Sequence, residues 1–204
     1  MRETKRQLVH LTGIFSIFFA YQFGSFLTGL GALVISLGIF MLSVYVEMKR
    51  DIRKRLPFRM RFFEDAEDSL HKLIDSFERD GVKRRYTGAI MFFLGIGLPL
   101  MILPFEIGIL AIVVLSVGDS MSTIFGIHFG KHRLKINKKK SWEGSLSGLI
   151  LSFIACLLFT NPVTALIAST TGMLTEAIPF KINDNLLMPF SIGIVLWVIK
   201  FLPF

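Results

Sequence analysis

Four carboxylates, Glu47, Asp119, Glu176 and Asp184, border or interrupt apolar runs at ends that adjoin charged segments. An acid placed within or beside a membrane span is costly, so each one raises the question of what it does. Asp119 opens the most polar part of the chain, GDSMSTIFGIHFGKHRLKINKKKSWEGSLSG, Gly118 to Gly148. On a helix Asp119, Ser122 and Thr123 are neighbours, and their oxygens face one site. Lys131, His132, Arg133, Lys135 and the run Lys138-Lys139-Lys140 follow. Cations beside carboxylates make chemical sense if Mg²⁺ and a polyphosphate lie between them. Ser141-Trp142-Glu143-Gly144 then opens a helix, whose free N–H groups and positive dipole end suit phosphate. Acids together with a cationic loop therefore point to metal-assisted phosphoryl chemistry.

Other readings draw on the same residues. Gly118, Ser122, Gly126 and Gly130 recur every four positions, a small-residue face that lets a second helix approach closely. Lys138 to Lys140 also satisfy ordinary membrane topology. His128 and His132 have helical i, i+4 spacing, but no third zinc ligand accompanies them. There is no G-x-x-x-x-G-K-[ST] loop and no kinase-type glycine loop, so soluble P-loop and protein-kinase architectures are not expected.

The elements that must hold these residues are apolar helices. Of 204 residues, 52% are hydrophobic and 21 are Phe, and the mean hydropathy is +0.61. Apolar runs predict seven membrane helices at 8–23, 26–47, 87–103, 105–125, 145–160, 163–178 and 186–202. Turns fall at Gln22–Ser25, Pro104, Asn161-Pro162 and Pro179. The expected fold is an all-α, polytopic helix bundle forming one domain over 1–204, its first helix retained rather than cleaved. With the N-terminus inside, every one of the 23 lysines and arginines except Lys200 falls on the cytoplasmic side. This bias accounts for the net charge of +8 without nucleic acid, and it puts all four acids near the cytoplasmic interface. The lone Cys156 excludes an intrachain disulfide and reads as packing. Within the long inside segment 48–86, Phe63, Ala66, Leu70, Leu73 and Phe77 form one face of an amphipathic helix that could lie on the membrane, dock on the bundle or pair with another copy.

Four segments in order resemble the CTP-dependent polyprenol kinase family, which includes dolichol and phytol kinases. RETKRQLVHLTG carries Arg6, His10 and Gly13, like the family's basic-then-His start. GDSMSTIFGIHFGK is similar to its G-D-x-x-A-x-x-x-G-x-x-x-G segment, with Ser122 in place of Ala. KKKSWEGSLSG resembles its nucleotide-associated K-K-S-x-E-G-S segment, and TEAIPFKINDNLLMP its E-x-x-P and D-N-x-x-x-P.

The resemblance implies transfer of the CTP γ-phosphate to an isoprenoid alcohol with Mg²⁺. The compact size and the lack of a targeting signal suggest a prokaryotic plasma membrane. In that frame Asp119 and Glu176 hold the metal, with Asp184 joining or supporting them. Lys139, Lys140 and Ser141 bind phosphate, and Gly144 allows close approach. Glu143 orients a lysine or the nucleotide sugar, and Asn185 positions Asp184 or the triphosphate. Among the carboxylates, Asp119 is preferred to take the alcohol proton, and His10 is a lesser candidate. Related CDP-lipid synthases, which transfer a cytidylyl group to a lipid phosphate, are the enzymatic rival. A small transporter or lipid-binding protein would instead spread its acids through the membrane depth.

Overall fold

In the computed structural model, the structure describes residues 2–53 and 87–200. Most of the amphipathic segment, 54–86, lies outside them. The described chain is helical, and its one β-type pairing is an isolated bridge between Arg133 and Ser141. Helix α1 (Arg2–Leu11) passes through a 3₁₀ turn (Thr12–Ile14) into α2 (Phe15–Phe23). Gly24, at φ +83°, turns the chain into α3 (Ser25–Arg53); that backbone region carries no steric cost for glycine. Then follow α4 (Thr87–Ile102) and α5 (Phe105–Val113). A π-helical turn (Val114–Asp119) continues α5 into α6 (Ser120–His128). The last three helices are α7 (Trp142–Cys156), α8 (Pro162–Ala177) and α9 (Asp184–Lys200).

All seven apolar runs fold as helices near their expected bounds. The first helix begins at Arg2 rather than residue 8, because a hydropathy window does not register polar turns that continue a helix beyond its apolar stretch. Two starts have local causes. Asn161 caps α8 by accepting from Thr164 N–H at 3.0 Å, with Pro162 in the first turn. Ser141 caps α7 by accepting from Gly144 N–H at 3.2 Å.

The α5 rod is the axis of the bundle. Ile109 through Leu115 are all buried, with α4, α8 and α9 among the helices packed around them. The outward faces are apolar too: Phe15, Phe23 and Phe26 on α2 and α3 are each more than 60% exposed. A water-soluble surface rarely carries so many large apolar side chains together. Ser25–Tyr45 and Phe105–His128 are long and apolar enough to cross a membrane. The protein is a helical membrane protein, buried at its axis and greasy at its rim.

The small-residue face predicted on α6 packs against α7. A Cβ on Gly148 would lie 2.7 Å from the Gly118 carbonyl oxygen and 2.9 Å from Ser122 Cβ, and one on Gly144 would collide with the Ser122 carbonyl oxygen. This close crossing sets the distance between Asp119 on one helix and Ser141 on the other. Replacing Gly148 by Val should therefore cost about 1–3 kcal/mol of overpacking strain. Thermal unfolding in detergent would show the variant melting earlier; an unchanged midpoint would mean that the crossing tolerates expansion.

Candidate functional site

Asp119 ends the π-helical turn. Such turns re-aim side chains within a helix and are common at functional sites. Its carboxylate is buried, 2% exposed, and faces two neighbours. His10 Nδ1, on α1, lies 3.4 Å from Oδ2, and Lys140 Nζ lies 3.8 Å from Oδ1. Glu176, in the last turn of α8, is 3% exposed. Its Oε1 accepts from Ser122 Oγ at 2.6 Å and from Lys140 Nζ. Lys140 thus bridges two buried carboxylates brought from helices that lie over fifty residues apart in sequence.

A closed hairpin delivers that lysine. Trp142 N–H donates to the His132 carbonyl at 2.9 Å, and Leu134 N–H donates to the Lys140 carbonyl at 3.0 Å. Lys140 N–H closes the tip by donating to the Asn137 carbonyl at 3.0 Å. Glu143 latches the base: it accepts from His132 N–H at 3.1 and 3.2 Å, and its Oε1 lies 2.6 Å from His132 Nδ1. Burial disfavours the Lys140 ammonium, but the charges of Glu176, Asp119 and Asp184 more than offset it, so its pKa lies above the ordinary lysine value. The lysine is held charged.

Above Lys140 opens a cavity of about 930 Å³. Lys139, Arg133 and Lys181 line it, together with Ser122, Ser141, Glu176 and Asp184. The linker after α8 contributes Ile178, Pro179 and Phe180. The volume is at the upper end for one small-molecule site, about 300–1,000 Å³.

The expected residues fall into three groups. Asp119, Glu176, Lys140 and Ser122 meet directly, while Lys139, Ser141, Gly126 and Asp184 face the cavity. Gly144 and Gly130 serve helix and loop packing, with a Cβ on Gly130 meeting Ser141 Oγ at 2.6 Å. Glu143 holds His132 rather than a lysine, and Asn185 donates to the Gly88 carbonyl at 3.4 Å, tying α9 to α4. His10 joins Asp119 and stacks on Phe92 with ring centroids 4.2 Å apart.

Sequence reasoning missed the Ser122–Glu176 bond, the bridging place of Lys140 and the burial of Gln7. For Gln7 the signal was present: Glu3, Gln7 and His10 share one helical face.

The donor set suits a hard cation in part. Asp119 Oδ1 and Glu176 Oε2 are buried and accept no hydrogen bond, and Mg²⁺ takes such carboxylate oxygens together with phosphate and water. Among the described residues, however, no three His, Cys, Asp or Glu side chains are grouped as one metal site. Asp184 opens α9 and lines the cavity together with Glu176, and its charge acts on Lys140.

Fold and site together define a helical membrane protein with a buried carboxylate–lysine centre below a cationic cavity. Comparison with known proteins gives relatives of modest identity. The chain is 25% identical over 147 residues to CTP-dependent diacylglycerol kinase 1 of Schizosaccharomyces pombe, covering 63% of this chain and 67% of that protein. It is 26% identical to a probable chloroplastic phytol kinase of Triticum aestivum, covering 71% and 53%. It is 26% identical over 199 residues to the dolichol kinase of Saccharomyces cerevisiae, covering 92% and 35%. The chain thus spans about half of the wheat protein and about a third of the yeast dolichol kinase. No family model and no solved structure matches. These relatives support the resemblance to the polyprenol kinase family.

Removing the bridging charge should leave two buried carboxylates facing each other. Lys140→Met is expected to destabilise the protein by about 3–5 kcal/mol. Adding Glu176→Gln should restore part of that loss, since coupled partners are not additive. Unfolding of the two single variants and the double variant checks this. Strict additivity would mean that the lysine and the glutamate do not interact.

Proposed function

We propose that this protein is a lipid kinase that transfers the γ-phosphate of CTP to the hydroxyl of an isoprenoid alcohol of the dolichol, phytol or geranylgeraniol type. In this reading seven helices span a plasma membrane, the N-terminus is cytoplasmic, and the cavity opens at the cytoplasmic face. The observation that carries it is Lys140, paired with Asp119 and Glu176 beneath a cavity lined by further cations. Phosphoryl transfer demands alignment and charge neutralisation more than covalent help, and this is what such a site supplies. The relatives' names support the donor and the kinds of acceptor: one is a CTP-dependent kinase, and the acceptors named are diacylglycerol, phytol and dolichol.

Lys139, Lys140 and Arg133 neutralise the triphosphate, and Ser141 brings the start of α7 to it. Asp119 and Glu176 would hold Mg²⁺, which would spread the charge of the β- and γ-phosphates, with Asp184 near the cavity mouth. The alcohol oxygen attacks the γ-phosphorus, and a new O–P bond forms. The bond to the bridging β-phosphate oxygen breaks, and CDP leaves with its electron pair. The alcohol proton passes to a carboxylate, with Asp119 the preferred acceptor. A lipid alcohol keeps its chain in the bilayer and its hydroxyl at the interface, while CTP stays in water.

Position-specific labelling of CTP tests the reaction. With purified protein, Mg²⁺ and geranylgeraniol, label in the γ-phosphate should enter lipid, and label in the α-phosphate should remain in CDP. With a lipid phosphate supplied in place of the alcohol, entry of α-label into a CDP-lipid and release of pyrophosphate would identify a CDP-lipid synthase instead.

A further inference from the structure

The segment that joins α8 to α9, residues 178–183, begins two residues after Glu176, and all six of its residues line the cavity. Its backbone is held at both ends. Ile178 N–H donates to the Leu174 carbonyl at 3.2 Å, and Phe180 N–H donates to the Ile178 carbonyl at 2.9 Å. The second bond closes a tight turn centred on Pro179, whose ring fixes φ. At the other end Asn183 caps α9. Its carbonyl accepts from Leu187 N–H at 3.0 Å, and its Oδ1 accepts from Asn185 N–H at 3.0 Å.

Two side chains on this fixed segment suit a ligand. The Phe180 ring is 53% exposed, although it lines a cavity that Arg133, Lys139, Lys140 and Lys181 also line. In the topology proposed above the segment lies on the cytoplasmic side, where an exposed ring meets water or a ligand instead of lipid chains. Asn183 has given its Oδ1 to the start of α9, so its Nδ2 is the group left to donate. A flat apolar face and an amide donor beside a set of cations match the parts of a nucleotide. The base stacks on an aromatic ring and carries acceptors on its edge, and the phosphates take the cations.

We infer, resting on the CTP-dependent reading above, that Phe180 and Asn183 form the subsite for the nucleotide's base. The Phe180 ring stacks on the base, and Asn183 Nδ2 donates to an acceptor on its edge, which in cytosine is O2 or N3. Phe180 lies four residues beyond Glu176, so at most about 14 Å of chain separates them, a distance a nucleoside triphosphate bridges. The phosphates then run from the segment toward Lys140, with Lys139 and Arg133 in the same cavity, and the γ-phosphate comes to the end where Glu176 lies.

Equilibrium binding to the full-length protein in detergent, with Mg²⁺, tests this with two probes, CTP and inorganic triphosphate. The samples are wild type, Phe180→Ala and Asn183→Ser. Serine keeps an oxygen that caps α9 and removes the amide. CTP affinity should fall about tenfold or more in Phe180→Ala, the scale of one lost base–aromatic stack. In Asn183→Ser it should fall by about threefold to tenfold, the scale of one hydrogen bond. Triphosphate affinity should stay within about twofold of wild type in both, which also shows that the variants are folded. A wild type that prefers CTP to triphosphate, with that preference undiminished in the variants, overturns the inference and leaves the kinase reading standing. Equal weakening of CTP and triphosphate would assign the segment to shaping the phosphate site, and overturns it too. A wild type that binds triphosphate, and CTP no more tightly, has no base subsite, and the CTP-dependent reading falls with the inference.

Discussion

An ammonium ion between two buried carboxylates is the interaction on which the site depends. Asp119 and Glu176 lie in helices packed inside an apolar bundle, where an uncompensated charge is expensive. Lys140 compensates both. For it to do so, α6 and α8 must bring their acids together, and the hairpin before α7 must end at one place. The tight α6–α7 crossing, the Ser141 cap and the Glu143–His132 latch all follow from that requirement. The same arrangement keeps a fixed positive charge at the floor of a cavity lined by more cations, which is the setting a polyphosphate needs.

Legibility in the sequence varied with the range of the interaction. The seven helices were readable because each is a run of apolar residues bounded by proline, glycine or charge, and those signals are local. The small-residue face on α6 was readable from spacing, and its partner face at Gly144 and Gly148 lies in the motif that follows. Asp119 and Glu176 stood out because an acid in an apolar run must be compensated. Which group compensates them was not legible. Lys138, Lys139 and Lys140 are equivalent by type, and the hairpin register alone selects Lys140.

The roles of Glu143 and Asn185 were hidden for a similar reason. Motif reasoning assigns such residues to the ligand and does not reach their contacts within the protein. Glu143 accepts from the His132 backbone and faces its ring, and Asn185 donates to Gly88 on α4. Each positions an element that bears the site: the hairpin in one case and the start of α9 in the other. Gln7 shares a helical face with Glu3 and His10, but that spacing does not say which helix buries it.

The central claim is that the Lys140-bridged carboxylates are where phosphoryl transfer happens. The most direct measurement is single-turnover transfer of γ-label from CTP to geranylgeraniol by wild type and by Asp119→Asn, with CTP binding measured on the same samples. The account predicts that the variant stays folded and loses transfer by about 10²–10³-fold or more. Transfer by Asp119→Asn at the wild-type rate would contradict it and move the chemistry away from this pair.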